Sequence, residues 1–183
     1  MLSPYWADFM PGKPQAILSR SENLVMAEDP VTLARRLSQE GIKVTAFFKL
    51  LAPQQWNVEI YTEGSRWTVL QILAHFDITE TSIGGLIENI LEGGDGAPQG
   101  FDLDEFNEHT VSDLQVLSAS ELLARFTAHR QGTIEMVGRL SDDDLQKTGR
   151  HPFLGITSLA DIIKLMYRHN QIHLRDIRRA LAR

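Results

Sequence analysis

The sequence predicts an all-α fold: an antiparallel four-helix bundle with a crossover segment between its second and third helices. Three observations carry this. Four long segments repeat apolar residues at three- and four-residue steps, no segment alternates convincingly as a strand, and no repeat period divides the chain.

The first helix opens at Asp29-Pro30, where Asp serves as N-cap and Pro takes the first helical position. Leu33, Leu37, Val44, Phe47, Phe48 and Leu51 form its apolar stripe, with Arg35, Arg36, Gln39, Glu40 and Lys43 mostly between them, and Pro53 stops it. Trp56 to Gly64 reads as a connector with room for a short extended piece. A second helix is expected from about Thr68 to Leu91. Gly84-Gly85 interrupts it, and two glycines in a helix cost about 1 kcal/mol each relative to alanine, so the pair suggests a kink or a close approach by another helix.

The stretch from Glu92 to Gly100 is rich in Gly and Pro and long for a bundle connection. A short helix around Leu103 to Leu114 follows it. Ser118-Ala119-Ser120-Glu121 matches a capping box and opens the third long helix, which runs through Leu140. Ser141 to Asp144 turns the chain and lacks the length and spacing of a calcium loop. After a loop containing His151-Pro152 and Gly155, Thr157 or Ser158 can cap the fourth helix, whose last turns hold Arg175, Arg178, Arg179 and Arg183 against the negative end of the helix dipole.

Residues 1–28 carry Pro4, Pro11, Gly12 and Pro14 among the aromatics Tyr5, Trp6 and Phe9, and read as an arm ahead of a bundle domain over residues 29–183. Met26 is an alternative start. The arm can cover a second copy of the chain as readily as its own bundle, so a homodimer stays open.

Composition narrows the function. A length of 183 residues with 43% hydrophobic and 23% charged residues fits an ordinary globular chain with a core of its own. Its net charge of −6 gives no basic footprint, and nucleic acid is not expected as a partner. The chain has no cysteine, which excludes disulfides, thiolate metal sites and a cysteine nucleophile. No apolar run long enough to span a bilayer and no secretory leader are evident, so no membrane association and a cytoplasmic location are expected.

The residues with most chemical content are His169 and His173, in the stretch Arg168 to Leu174. Residues four apart share one helix face, and the stripe of Leu159, Ile162, Leu165, Met166, Ile172, Ile177 and Leu181 puts both imidazoles on the buried side. His75 is the third candidate, on a face shared with Thr68, Gln71, Ile72, Ile78, Thr79, Ser82 and Leu86. Three neutral imidazoles from two facing helices would leave a coordination position open for water or substrate. Packing histidines without an ion remain the alternative. Asp176 is placed either to orient an imidazole or to pair with a nearby arginine. His151 reads as a surface or packing residue, and His109 and His129 as solvated, among neighbours such as Glu108, Arg130 and Gln131. Asn170 stands where a zinc metallopeptidase needs glutamate, which disfavours that class.

Trp67 to Phe76, Phe101 to Asn107, and His151-Pro152-Phe153-Leu154-Gly155 leading to His169 and His173 together resemble the DinB-like metal-binding superfamily, across about Pro30 to Arg183. The resemblance implies a four-helix bundle in which His75, His169 and His173 bind a divalent ion, often zinc or nickel. It also implies a small-molecule substrate. Characterised members are transferases or isomerases that use a low-molecular-weight thiol such as mycothiol or bacillithiol, while many others have no established reaction. A metal-dependent thiol transferase is therefore one expectation, with Asn107, Thr79 and Gln71 as candidates to orient substrate. The other is a non-catalytic, stress-associated module in which an ion ties two helices together.

Overall fold

The computed structural model describes residues 29–61 and 66–182, so the expectations for the amino-terminal arm, for Met26 and for Arg183 lie outside the described residues. Helix α1 spans Pro30–Lys49 and is capped by Asp29, whose carboxylate accepts the Thr32 amide at 2.8 Å. A 3-10 turn at Pro53–Asn57 and a single bridge between Glu59 and Thr68 form the connector. Helix α2 spans Val69–Leu91 behind a capping box of Thr68 and Gln71. Helix α3, Leu103–Asp113, is capped by Asp102, and α4, Ala119–Gly138, by Ser118 and Glu121. A short α5 at Asp142–Gln146 is capped by Ser141. Strands β1 (Thr148–His151) and β2 (Gly155–Ser158) then pair antiparallel, and α6 covers Leu159–Leu181 behind Ser158.

The four long helices form the expected bundle, in which α1 and α2 each pack on α4 and α6 and so stand diagonally opposed. Side-chain pairs give the directions. Arg36 meets Tyr167 and Glu40 meets Gln171, so α1 and α6 run parallel. Asp77 meets Arg125 and Glu80 meets Arg130, so α2 and α4 run parallel as well. The remaining contacts are antiparallel, with Arg130 opposite Gly41 and His75 opposite His169. The long 92–118 connection makes this order accessible, because a crossover lets consecutive helices point the same way. Part of that connection, α3, lies against α2.

The apolar core falls into two clusters. One gathers Leu33, Leu37, Ile87, Val137, Leu159, Ile162 and Met166; the other gathers Val44, Phe48, Ile72, Phe76, Phe126, Leu174 and Ile177. Between them, at matching heights on the four helices, lie the buried polar residues Glu40, Glu80, Arg130, His169, Asn170 and His173. A polar layer thus crosses the middle of the bundle.

Two expectations are corrected. The loop at His151-Pro152 is a β-hairpin; strands of four residues, TGRH and GITS, are too short to display alternation. Helix α2 runs continuously through Gly84 and Gly85, and neither marks a tight contact: a Cβ on Gly84 would meet nothing nearer than Met136 Cε at 3.9 Å, and one on Gly85 nothing within 4 Å. The close approach lies at Gly41, where a Cβ would come within 3.0 Å of Arg130 Cγ. Among the described residues no helix is long and apolar enough to cross a membrane.

Candidate metal centre and cavity

His75 reaches the bundle interior from α2, and His169 and His173 reach it from α6. The Nε2 atoms of His75 and His173 each lie 2.9 Å from Nε2 of His169, and ligand atoms of all three fall within 4.8 Å of one another. All three side chains are buried. Burial holds each imidazole neutral: desolvation puts His173 at about 4 and pushes His75 and His169 well below the ordinary histidine value, with the neighbouring imidazoles adding to the effect.

Hydrogen bonding alone does not account for this convergence. A neutral Nε2 either offers one lone pair or donates one proton, so His169 cannot serve both neighbours well at 2.9 Å. His75 Nδ1, moreover, is buried with no hydrogen-bond partner among the described residues. Three lone pairs aimed at one point from neutral rings are the donor set that a divalent cation takes.

The surroundings fix the rings in place. Trp67 lies with its ring centroid 4.7 Å from that of His75, and Phe76 sits 5.9 and 5.8 Å from His169 and His173. The Tyr61 hydroxyl contacts His173 Nδ1 at 2.5 Å and reaches Asp176 Oδ2 at 3.4 Å. Asp176 also accepts from Arg175 Nε at 3.2 Å, the arginine pairing foreseen for it, and among the described residues it meets no imidazole directly, only the Tyr61 hydroxyl that contacts His173. Nothing in the sequence singles out Tyr61; it stands in the connector, distant along the chain from the histidine it meets.

His75 and His169 also form one end of a cavity of about 360 Å³ between α2, α3, the 92–100 loop, the hairpin and α6. Of the three residues expected to orient substrate, Thr79 and Asn107 line it. Gln71 does not; its side-chain oxygen accepts the Thr68 amide at 2.9 Å and closes the capping box. His151 is buried and lines the same cavity, which corrects the surface reading while keeping the packing one. Its Nδ1 accepts the amides of Phe153 and Leu154 at 3.1 and 3.3 Å, which holds the hairpin turn, and burial lowers its pKa to about 4. His109 is exposed, as foreseen, and lies 3.2 Å from the Asp113 carboxylate. His129 is not simply solvated, because Nδ1 donates to the buried Asp77 carboxylate at 2.6 Å, beside Arg125.

A model of the DinB superfamily matches residues 36–177. The chain belongs to the DinB superfamily. A search of curated proteins finds no match. Among solved structures, YfiT from Bacillus subtilis, described as a probable metal-dependent hydrolase with an unusual four-helix bundle topology, aligns with a TM-score of 0.69 at 17% identity, over 92% of this chain and 91% of its own. A mycothiol-dependent maleylpyruvate isomerase aligns with a TM-score of 0.65 at 15% identity, over 84% of this chain and 61% of its own. The colibactin self-resistance protein ClbS, solved in complex with double-stranded DNA, aligns with a TM-score of 0.62 at 13% identity, over 81% of this chain and 94% of its own. At these identities the likeness shows the shared fold. For this DinB-superfamily chain, the chemistry has to be argued from its own side chains.

Proposed function

We propose that this protein is a metal-dependent enzyme acting on a small molecule, with a divalent ion, zinc or nickel, held by His75, His169 and His173. One observation carries the reading: three buried, neutral imidazoles converge at the end of a cavity large enough for a substrate. A purely structural ion would be expected in a closed site with four protein ligands, whereas among the described residues the cluster offers three. When bound, such an ion supplies Lewis acidity that brings a coordinated water or thiol toward its anionic, nucleophilic form near neutral pH.

The chain's own residues do the rest. Tyr61 and Asp176 orient the His173 ring, Trp67 and Phe76 keep bulk water from the imidazoles, and Thr79, Asn107 and His151 present polar groups along the cavity. With no cysteine in the chain, a thiol nucleophile would have to come from an external low-molecular-weight cofactor, as in the mycothiol-dependent neighbour; water serves otherwise, in keeping with the hydrolase neighbour. Nucleic acid is not the proposed partner, despite the DNA complex of ClbS, because this chain carries a net charge of −6.

Elemental analysis of tag-free protein should find close to one divalent ion per chain. Turnover of an activated ester or an alkylating electrophile, assayed with and without added thiol, should be lost in His169→Ala. Dependence on thiol separates transfer from hydrolysis. A protein that binds the ion and yet turns over neither substrate class supports the non-catalytic module instead.

A further inference from the structure

His151 meets the cavity from the hairpin with both its ring and its backbone fixed. Pro152 has no amide to give, so the first amides after it, those of Phe153 and Leu154, donate to His151 Nδ1 at 3.1 and 3.3 Å. Arg150, just before it, is held through both backbone groups: its amide donates to Asp95 O and its carbonyl accepts the Ala97 amide, each at 2.8 Å. The imidazole is therefore set in place before any ligand arrives.

These bonds also decide which nitrogen carries the proton. A neutral imidazole has one donor and one acceptor nitrogen, and burial keeps this ring neutral, with a pKa of about 4. Nδ1 accepts, so the proton sits on Nε2 and that nitrogen can only donate. The ring is thereby barred from acting as a general base or a metal ligand. His151 is 6% exposed, and Nε2 has no hydrogen-bond partner among the described residues. The ring lines the cavity whose end His75 and His169 form. Water can satisfy Nε2 until a ligand displaces it, and a ligand without an acceptor then leaves a buried N–H unpaired, which is costly. A carbonyl oxygen, which only accepts, is the matching group.

We propose that His151 is a specificity-determining hydrogen-bond donor, whose Nε2–H holds the carbonyl oxygen of a ligand with an apolar body packed against Leu86, Phe101, Phe106 and Phe153. Calling that ligand a substrate rests on the functional reading above, under which a donor fixed in advance at a reacting carbonyl also favours the negative charge that develops on its oxygen. The hydrogen bond itself holds with or without an ion.

The test uses the full chain as purified, its metal content measured by elemental analysis. The probes are 2-acetylnaphthalene and its hydrocarbon isostere 2-isopropenylnaphthalene, titrated by calorimetry. In asparagine the side-chain oxygen stands where Nδ1 does, and in glutamine the amide nitrogen reaches the position of Nε2. His151→Asn therefore keeps the turn and removes the cavity donor, whereas His151→Gln keeps the donor and removes the acceptor of the turn. The wild type should prefer the ketone, and His151→Asn should lose about tenfold in ketone affinity with hydrocarbon affinity unchanged. Folded His151→Gln should keep the preference. A residue that only holds the turn gives the reverse order, with the first variant unaffected and the second impaired for both probes. That order overturns the proposal, as do absence of ketone binding, no preference in the wild type, or equal losses of both probes in His151→Asn. Should the variants fail to fold, the His151 Nε2 proton resonance of the wild type decides: it should move downfield with the ketone and not with the hydrocarbon, and an equal response to both overturns the proposal. The metal reading fails separately. A chain without an ion that shows this pattern keeps the assignment of His151, and an ion-bearing chain without the pattern keeps the metal reading alone.

Discussion

His173 depends on a residue remote from it in sequence. With Nε2 turned to the other histidines, Nδ1 faces the Tyr61 hydroxyl, which in turn reaches Asp176. Groups that orient a ligating imidazole through its second nitrogen are worth on the order of 10- to 100-fold in metal affinity, so Tyr61→Phe should weaken binding by that factor in a competition titration against a chelating dye, with the fold unchanged. His151 yields a second prediction at this scale. Its pKa is about 4 in the fold against 6.5 in a model peptide, so above pH 6.5 it is neutral in both states and contributes no pH dependence. As pH falls from 6.5 to 4 the unfolded chain takes up a proton that the folded chain refuses, and stability drops by about 1.4 kcal/mol per pH unit for this group. His151→Asn keeps an acceptor for the turn amides and removes the titration. In metal-free protein, the slope of unfolding free energy against pH in that window should therefore lessen by about one proton. The pair His169 and His173 was readable from its spacing and His75 from the composition of its own face, with the family resemblance joining the three, whereas Tyr61 was not readable, because periodicity relates residues within one element and is blind to a contact between a connector and a helix.

At the scale of elements, the caps are what the sequence shows best. Asp29, Thr68, Ser118 and Ser158 each accept an amide from the first turn of the helix they precede, since capping is local chemistry. Glycines are harder to read, because their meaning depends on what lies opposite. Gly85 is exposed and a Cβ there would meet nothing within 4 Å, so Gly85→Ala should raise stability by up to about 1 kcal/mol through helix propensity alone. Gly41 gives the opposite sign in the same experiment. Its added methyl would press on Arg130, whose guanidinium is held from three sides, and overpacking of about 1–3 kcal/mol exceeds the propensity gain of about 1 kcal/mol. Urea denaturation of the two variants should move the midpoint up for the first and down for the second. The hairpin was hard to see in sequence because its strands are short and part of what fixes it lies elsewhere: the Arg150 amide donates to Asp95 O and the Ala97 amide to Arg150 O, both at 2.8 Å. Gly96, with φ of 86°, brings its backbone so near Arg150 that a Cβ would lie 2.5 Å from the carbonyl oxygen. Loop and hairpin are thereby clamped into one wall of the cavity.

Across the whole molecule, one side chain ties the four long helices together. Arg130 of α4 makes a two-bond pair with Glu80 of α2 at 2.8 and 2.7 Å, donates to the Leu37 carbonyl of α1 at 3.2 Å and to Asn170 Oδ1 of α6 at 2.7 Å. Its guanidinium also lies 5.2 Å from the Phe126 ring centroid. Arg130 was grouped with solvated neighbours in the sequence, yet it stands in phase with Leu122, Phe126 and Val137, as Glu80 does with Phe76 and Ile87. A charged residue recurring on an apolar stripe was the available signal, and its partner on another helix was the missing half. Removing one partner of a buried pair strands the other charge, at about 3–5 kcal/mol, whereas replacing both with apolar groups of similar volume is often close to neutral. Glu80→Ala should therefore cost about 3–5 kcal/mol in urea denaturation, and the double variant Glu80→Leu, Arg130→Met should cost less than Glu80→Ala alone. Losses that simply add would show that the pair does not act as a unit. Asn170 follows His169 directly, so the same network sets how α6 is turned about its axis. Loss of the Arg130 contact should then loosen the alignment of His169 and His173 with His75, and metal affinity in the double variant should fall even where stability is regained. That separation of stability from binding distinguishes a network that positions the site from one that only holds the bundle.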